Sequence, residues 1–101
     1  MEHLFEGVID VHAHADPDKT ARSLDVLELA KLYRDRGFRA VVLMNHFDAT
    51  AGMAYLVDKY TPGLEVYGGI VLNRLIGGIN LAAVEHMLRI EGGRGKIVYM
   101  P

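Results

Sequence analysis

The residues with the most chemical capacity come early. His12 and His14 stand one residue apart at the end of an apolar run, in "VIDVHAHADPD" from Val8 to Asp18. Neutral imidazole suits zinc, iron, nickel and copper, with carboxylates or water completing the shell. In a regular strand, residues two apart point to the same side. Asp10, His12 and His14 are therefore expected on one face, with Ile9, Val11 and Ala13 on the other. The apolar face would pack against helices. The polar face would look inward at the C-terminal end of the strand, where parallel α/β folds build their sites. Asp10 would then ligate directly or orient a histidine from behind. A histidine pair satisfied by ordinary hydrogen bonds in a loop is the blander alternative. The apolar strand before the pair, with Asp10 two residues ahead of it, favours a metal.

Three further residues are candidates for substrate contact. His46 follows the second apolar run, in "LMNHFD". If that strand stays extended, Val42, Met44 and His46 share a face, and His46 lines the same mouth as His12 and His14; a plain loop histidine fits the spacing equally well. Asn73 ends the third run, in "GGIVLNR", and can also touch substrate. Arg74 beside it can hold an anionic group bidentately. For both, a polar loop start is the more common role. Asn45 and Asp48 are weaker candidates, because Asn and Asp are frequent in loops and caps. "GGRGK" is not a phosphate loop: Lys96 is followed by Ile97 and precedes a strand. His86 reads as a helix-surface residue, and His3 lies close to the N-terminus.

The elements that must carry these residues follow from periodicity. Four short apolar runs, "GVIDVHAHA" from Gly7, "AVVLMNH" from Ala40, "EVYGGIVLN" from Glu65 and "KIVYMP" from Lys96, have the length and Val/Ile content of strands. Between them the pattern turns helical. Ser23–Arg36 has Ser23 as its expected cap, a buried stripe of Val26, Leu29, Ala30 and Tyr33, and Gly37 as its stop. A second helix is expected from about Thr50 to Tyr60, burying Met53, Leu56, Val57 and Tyr60. A third runs from Asn80, as cap, to about Ile90, burying Leu81, Val84 and Leu88. Gly68 and Gly69 within the third strand suggest a bulge or a close backbone approach. The order βαβαβαβ, with strand starts one βαβ unit apart, predicts an α/β fold with a parallel sheet. Four strands and three helices are half of a (β/α)8 barrel, and the chain reads as one partial barrel domain over 1–101.

Bulk properties narrow the function classes. The chain has 101 residues, half of them hydrophobic and 24% charged, and a formal net charge of -2. With no basic stripe, nucleic acid and anionic membrane are not expected partners. The absence of cysteine excludes disulfides, thiolate zinc sites and cysteine nucleophiles. No apolar run approaches the roughly 20 residues of a membrane helix, and "MEHLFEG" shows no secretory h-region. A cytoplasmic location is the expectation.

"IDVHAHADPD" resembles the first-strand D-x-H-x-H signature of the amidohydrolase superfamily of metal-dependent hydrolases. "VVLMNHFDATAGMAYLV", "PGLEVYGGIVLNRLIGGINLAAVE" and "KIVYMP" resemble the early βα units of an uncharacterised amidohydrolase-like family, so the resemblance spans nearly the whole chain. It implies a TIM-type barrel with one or two divalent ions at its C-terminal mouth, zinc first, with manganese and iron as alternatives. His12 and His14 match the first-strand metal ligands. The reaction implied is hydrolysis of an amide, lactone or other ester of a small-molecule substrate by a metal-activated water. In the superfamily the other ligands and the general base come from strands four, five, six and eight. This chain carries no acid or lysine at the end of its fourth strand, and Met44 stands where the resembling family has lysine. PHP-type metal-dependent phosphoesterases open with a similar H-x-H and are the alternative enzyme class. A third reading is a non-enzymatic half-barrel that binds only metal or a partner and associates with itself through open sheet edges.

Overall fold

A computed structural model describes residues 5–101. Met1 to Leu4, which include His3 and the start of the segment read for a signal peptide, lie outside the described residues. The order is β1 (Ile9–Ala13), α1 (Val26–Asp35), β2 (Ala40–Leu43), α2 (Ala51–Tyr60), β3 (Glu65–Val71), a 3-10 turn at Arg74–Ile76, α3 (Leu81–Arg89) and β4 (Gly95–Tyr99). The four strands form one all-parallel sheet in the order β1-β2-β3-β4. The fold is thus α/β, βαβαβαβ, with the strand order of half a barrel. No helix among the described residues is long and apolar enough to cross a membrane.

Helices cover one face of the sheet. Val41, Leu43 and Val66 pack there with Leu29 and Ala30 of α1 and Ala54 and Val57 of α2. Ile70 and Leu72 pack there with Met87 of α3. The concave face carries a smaller cluster of Val42, Met44 and Val71, flanked by Tyr67, Ile97 and Tyr99.

Helix ends and faces depart from the sequence expectation in instructive ways. The cap of α1 is Asp25 rather than Ser23. The Asp25 carboxylate accepts the Glu28 N–H at 2.7 Å while Glu28 accepts the Asp25 N–H at 3.0 Å, a reciprocal capping box. The stripe expected of α1 holds: Leu29 and Ala30 are buried, with Val26 and Tyr33 packed beside them. In α2 the buried face is Ala51, Ala54 and Val57, whereas Leu56 and Tyr60 are exposed. The small side chains let α2 approach β3 so closely that a Cβ on Gly68 would lie 2.5 Å from the Thr50 backbone. Large residues on that face would hold the helix off. In α3 the contact is made by Met87, with Ala83 and Val84, and Leu81 and Leu88 are exposed. Met87 lies over Gly95, where a Cβ would meet it at 2.8 Å.

Thr50 joins these layers. It stands at the N-terminus of α2 but makes no side-chain cap. Its buried hydroxyl instead donates to the Leu43 carbonyl at 2.6 Å and accepts the Gly69 N–H at 2.9 Å. One side chain thereby ties β2, β3 and α2 together.

Candidate metal centre at the C-terminal mouth

β1 is not a regular strand. It pairs with β2 as Ile9↔Ala40 and Asp10↔Val41, then as Ala13↔Leu43, so one extra residue enters between Asp10 and Ala13. Such an irregularity breaks the alternation of faces and re-aims side chains. Asp10 registers with Val41 on the helix-covered face, and Ala13 with Leu43 on the same face. His12 turns to the concave face, where its ring lies 5.3 Å from that of Tyr99. The expectation that Asp10, His12 and His14 share a face is therefore corrected. So is the expectation that Ile9 and Val11 pack against helices: they are 50% and 51% exposed.

Asp10 acts as a brace. One carboxylate oxygen accepts the His12 backbone N–H at 2.9 Å, and the other accepts the Tyr33 hydroxyl of α1 at 2.6 Å. It bonds the backbone of His12 and neither imidazole ring. The Tyr33 phenol is pushed up to about 12 by burial, then by the hydrogen bond and charge of Asp10.

The irregularity brings the two imidazoles together. His12 Nε2 and His14 Nε2 stand 2.9 Å apart. Two nitrogens bound to one ion at about 2.0–2.1 Å each stand about 2.8–3.4 Å apart, for angles from about 90° to 109°. The spacing equally serves an N–H···N hydrogen bond between neutral rings. His46 joins them, stacked on His14 with ring centroids 4.8 Å apart and 6.5 Å from His12. The structure thus brings His12, His14 and His46 to one mouth. His46 meets His14 through its ring face.

Burial and neighbouring charges act on His14. Burial, followed by the charges of Arg22, His12 and His46, lowers His14 below the ordinary imidazole value, against an opposing pull from Asp18. A lowered value favours the neutral ring. The His14 Nδ1 atom is buried and has no hydrogen-bond partner among the described residues. Asp18, whose side chain is only 1% exposed, is held by Arg22 Nε at 2.9 Å and by the Lys19 N–H at 2.7 Å. Burial pulls its carboxyl upward, but those bonds and the Arg22 charge outweigh it and leave it below the usual range.

The pair fits one edge of a divalent ion's coordination sphere. Among the described residues, no group of three or more His, Asp, Glu or Cys side chains is arranged to hold a metal.

The remaining candidates stand in the loops after β2 and β3 and on α3. Asn73 caps the 3-10 turn, its Oδ1 accepting from the N–H groups of Leu75 and Ile76, while its Nδ2 donates to the His46 carbonyl. It pins the loop after β3 to the loop that carries His46, and its polar atoms are used in doing so. Arg74 is exposed in the first position of that turn. Asn45 is buried and caps its own loop by accepting from the N–H groups of Phe47 and Asp48. His86 lies exposed on α3.

Sequence reasoning missed Tyr99. It ends β4 on the concave face, its ring against His12 and its hydroxyl donating to the Val11 carbonyl. Its phenol is raised by burial and then by the charge of Asp10. The available signal was a polar-tipped aromatic at the C-terminal end of a strand, in the position where an acid or lysine was sought.

A cavity of about 200 Å³ lies between the loop after β1 and the start of α2, lined by Pro17, Asp18, Lys19, Asn45, Asp48 and Thr50 among others and by none of the three histidines. No curated protein and no solved structure matches the chain. A family model matches residues 7–101, so the chain belongs to that family, a family of unknown function (DUF6282).

Proposed function

We propose that this chain supplies the histidine wall of a divalent-metal site in a hydrolase of the amidohydrolase type. The observation that carries the reading is the convergence of His12 Nε2 and His14 Nε2 to 2.9 Å on the concave face, beside His46. The D-x-H-x-H resemblance of the same strand supports it. The chemistry such an ion would supply is a lowered pKa for a water bound to it and Lewis-acid polarisation of the scissile oxygen. His12 and His14 would hold that ion, zinc being the first candidate for two imidazole ligands. Asp10 keeps β1 in the irregular conformation that aims His12. His46 walls the site and shields the inner face of His14. The substrate class in this reading is a small amide, lactone or other ester.

The acids of this mouth are committed elsewhere: Asp10 to Tyr33 and the His12 backbone, Asp18 to Arg22. Neither of these two carboxylates is thus free to move a proton beside the pair. That observation favours metal binding without turnover as the behaviour of the chain by itself.

Elemental analysis after purification and dialysis, with zinc titration by calorimetry, tests the reading. The wild-type chain is expected to bind one zinc ion per chain. The double variant His12→Ala, His14→Ala is expected to bind none while keeping its far-ultraviolet circular dichroism. Equal zinc binding by both would refute the assignment. On a panel of esters, lactones and phosphoesters the chain alone is expected to show no turnover above the zinc blank.

A further inference from the structure

We propose that Tyr99 is a positioning residue for His12: it anchors the Val11 carbonyl and packs edge-on against the His12 ring, and so holds the histidine pair in its converging geometry. The consequence for metal binding rests on the reading above. The positioning itself does not.

β1 is the weakly held strand of the sheet. It is an edge strand, and the extra residue between Asp10 and Ala13 takes Val11 and His12 out of regular register with β2. A bulged edge strand has few ladder bonds with which to fix its side chains. His12 itself is exposed. Three ties act on this stretch. From the helix side, Asp10 holds the His12 N–H. From the mouth, His14 meets His12 through its ring nitrogen. From the concave side, the Tyr99 hydroxyl donates to the carbonyl of Val11, the residue before His12. The Tyr99 ring also lies 5.3 Å from the His12 ring at 69°, an edge-to-face arrangement.

Tyr99 is suited to this hold because its own base is firm. It sits beside the buried Val42, Met44 and Val71. It comes from the opposite end of the sheet, 88 residues along the chain from Val11. A phenol long enough to cross the concave face therefore couples the curvature of the whole sheet to the aim of one imidazole. Without the hydroxyl, Val11 loses its anchor and His12 can rotate away from His14.

The test uses the full chain, with cobalt(II) as probe because its visible absorption reports ligand geometry. In the metal-free wild type, nuclear Overhauser contacts between the His12 and Tyr99 ring protons are expected; their absence overturns the proposal without any substitution. In Tyr99→Phe the His12 ring signals should shift or broaden while those of His86 stay in place. Cobalt affinity should fall about 10-fold, the lower end of what outer contacts to a metal ligand contribute, with an altered visible spectrum. Tyr67→Phe, which removes a hydroxyl bonded to Glu65 on the same sheet, should leave both unchanged. Wild-type affinity, spectrum and His12 signals in Tyr99→Phe overturn the proposal even if His12→Ala, His14→Ala abolishes binding. Failure of the wild type to bind cobalt or zinc overturns the metal reading, and the ring contacts still decide the role of Tyr99.

Discussion

At the scale of single residues, a few small or polar side chains decide what the apolar pattern cannot. Gly68 is one. β3 passes the start of α2 with no room for a Cβ, the nearest atoms being Thr50 backbone at 2.5 and 2.6 Å. Backbone cannot rotate aside as a side chain can. Gly68→Ala is therefore expected to cost more than the roughly 1–3 kcal/mol of ordinary overpacking, and thermal denaturation should show a marginally folded or unfolded chain. Thr50→Val tests the neighbouring bond. Valine matches the shape but leaves the buried Gly69 N–H without its hydroxyl acceptor, a loss of about 1–3 kcal/mol that urea denaturation would measure. Retention of full stability would mean that the Gly69 N–H finds another acceptor.

At the scale of elements, the link between β1 and α1 carries a pH dependence. The Tyr33 hydroxyl donates to Asp10 at 2.6 Å, and its folded value of about 12 lies above the ordinary phenol value. A raised folded value means that the folded state holds the proton more tightly than the unfolded chain. The stabilisation is thus fully present below about pH 10 and is lost as pH rises from about 10 to 12. Thermal melts across that window should show a falling midpoint. In Tyr33→Phe the fall should be shallower and the stability at pH 7 lower. The same strand is held from the helix side by Asp10 and from the concave side by Tyr99, so loosening either is expected to reach the histidines.

At the scale of the whole molecule, the sheet leaves the outer edges of β1 and β4 without a neighbouring strand among the described residues. A parallel sheet is ordinarily covered on both faces and managed at its edges. Here Ile9 and Val11 on one edge and Val98 on the other are substantially exposed. Concentration-dependent self-association is the expected behaviour. Sedimentation velocity should show it, and Val98→Lys, a charge placed beside the open edge, should reduce it. A single monomeric species at all concentrations would contradict this expectation.

The sequence by itself determined the order of elements, the parallel connectivity and the strand ends at which His12, His14 and His46 stand. Those features follow from local periodicity, from glycine and cap residues, and from the crossover length that parallel strands require. It also pointed to an irregularity at Gly68 and Gly69, which the pairing of β3 with β4 displays. Only the tertiary structure decided which faces are buried in α2 and α3. Leu56, Tyr60, Leu81 and Leu88 fit a helical stripe, but the close approach at Gly68 and Gly95 selects the faces bearing Ala54 and Met87 instead. The same holds at the site. Strict alternation puts Asp10 beside the histidines, and one extra residue in β1 sends it to the helix side as a brace. Tyr99 and Asn73 gained their roles from contacts with residues 88 and 27 positions away. Local spacing reports which way a regular strand points; a bulge and a long-range contact are settled only when the sheet curves and its two ends meet.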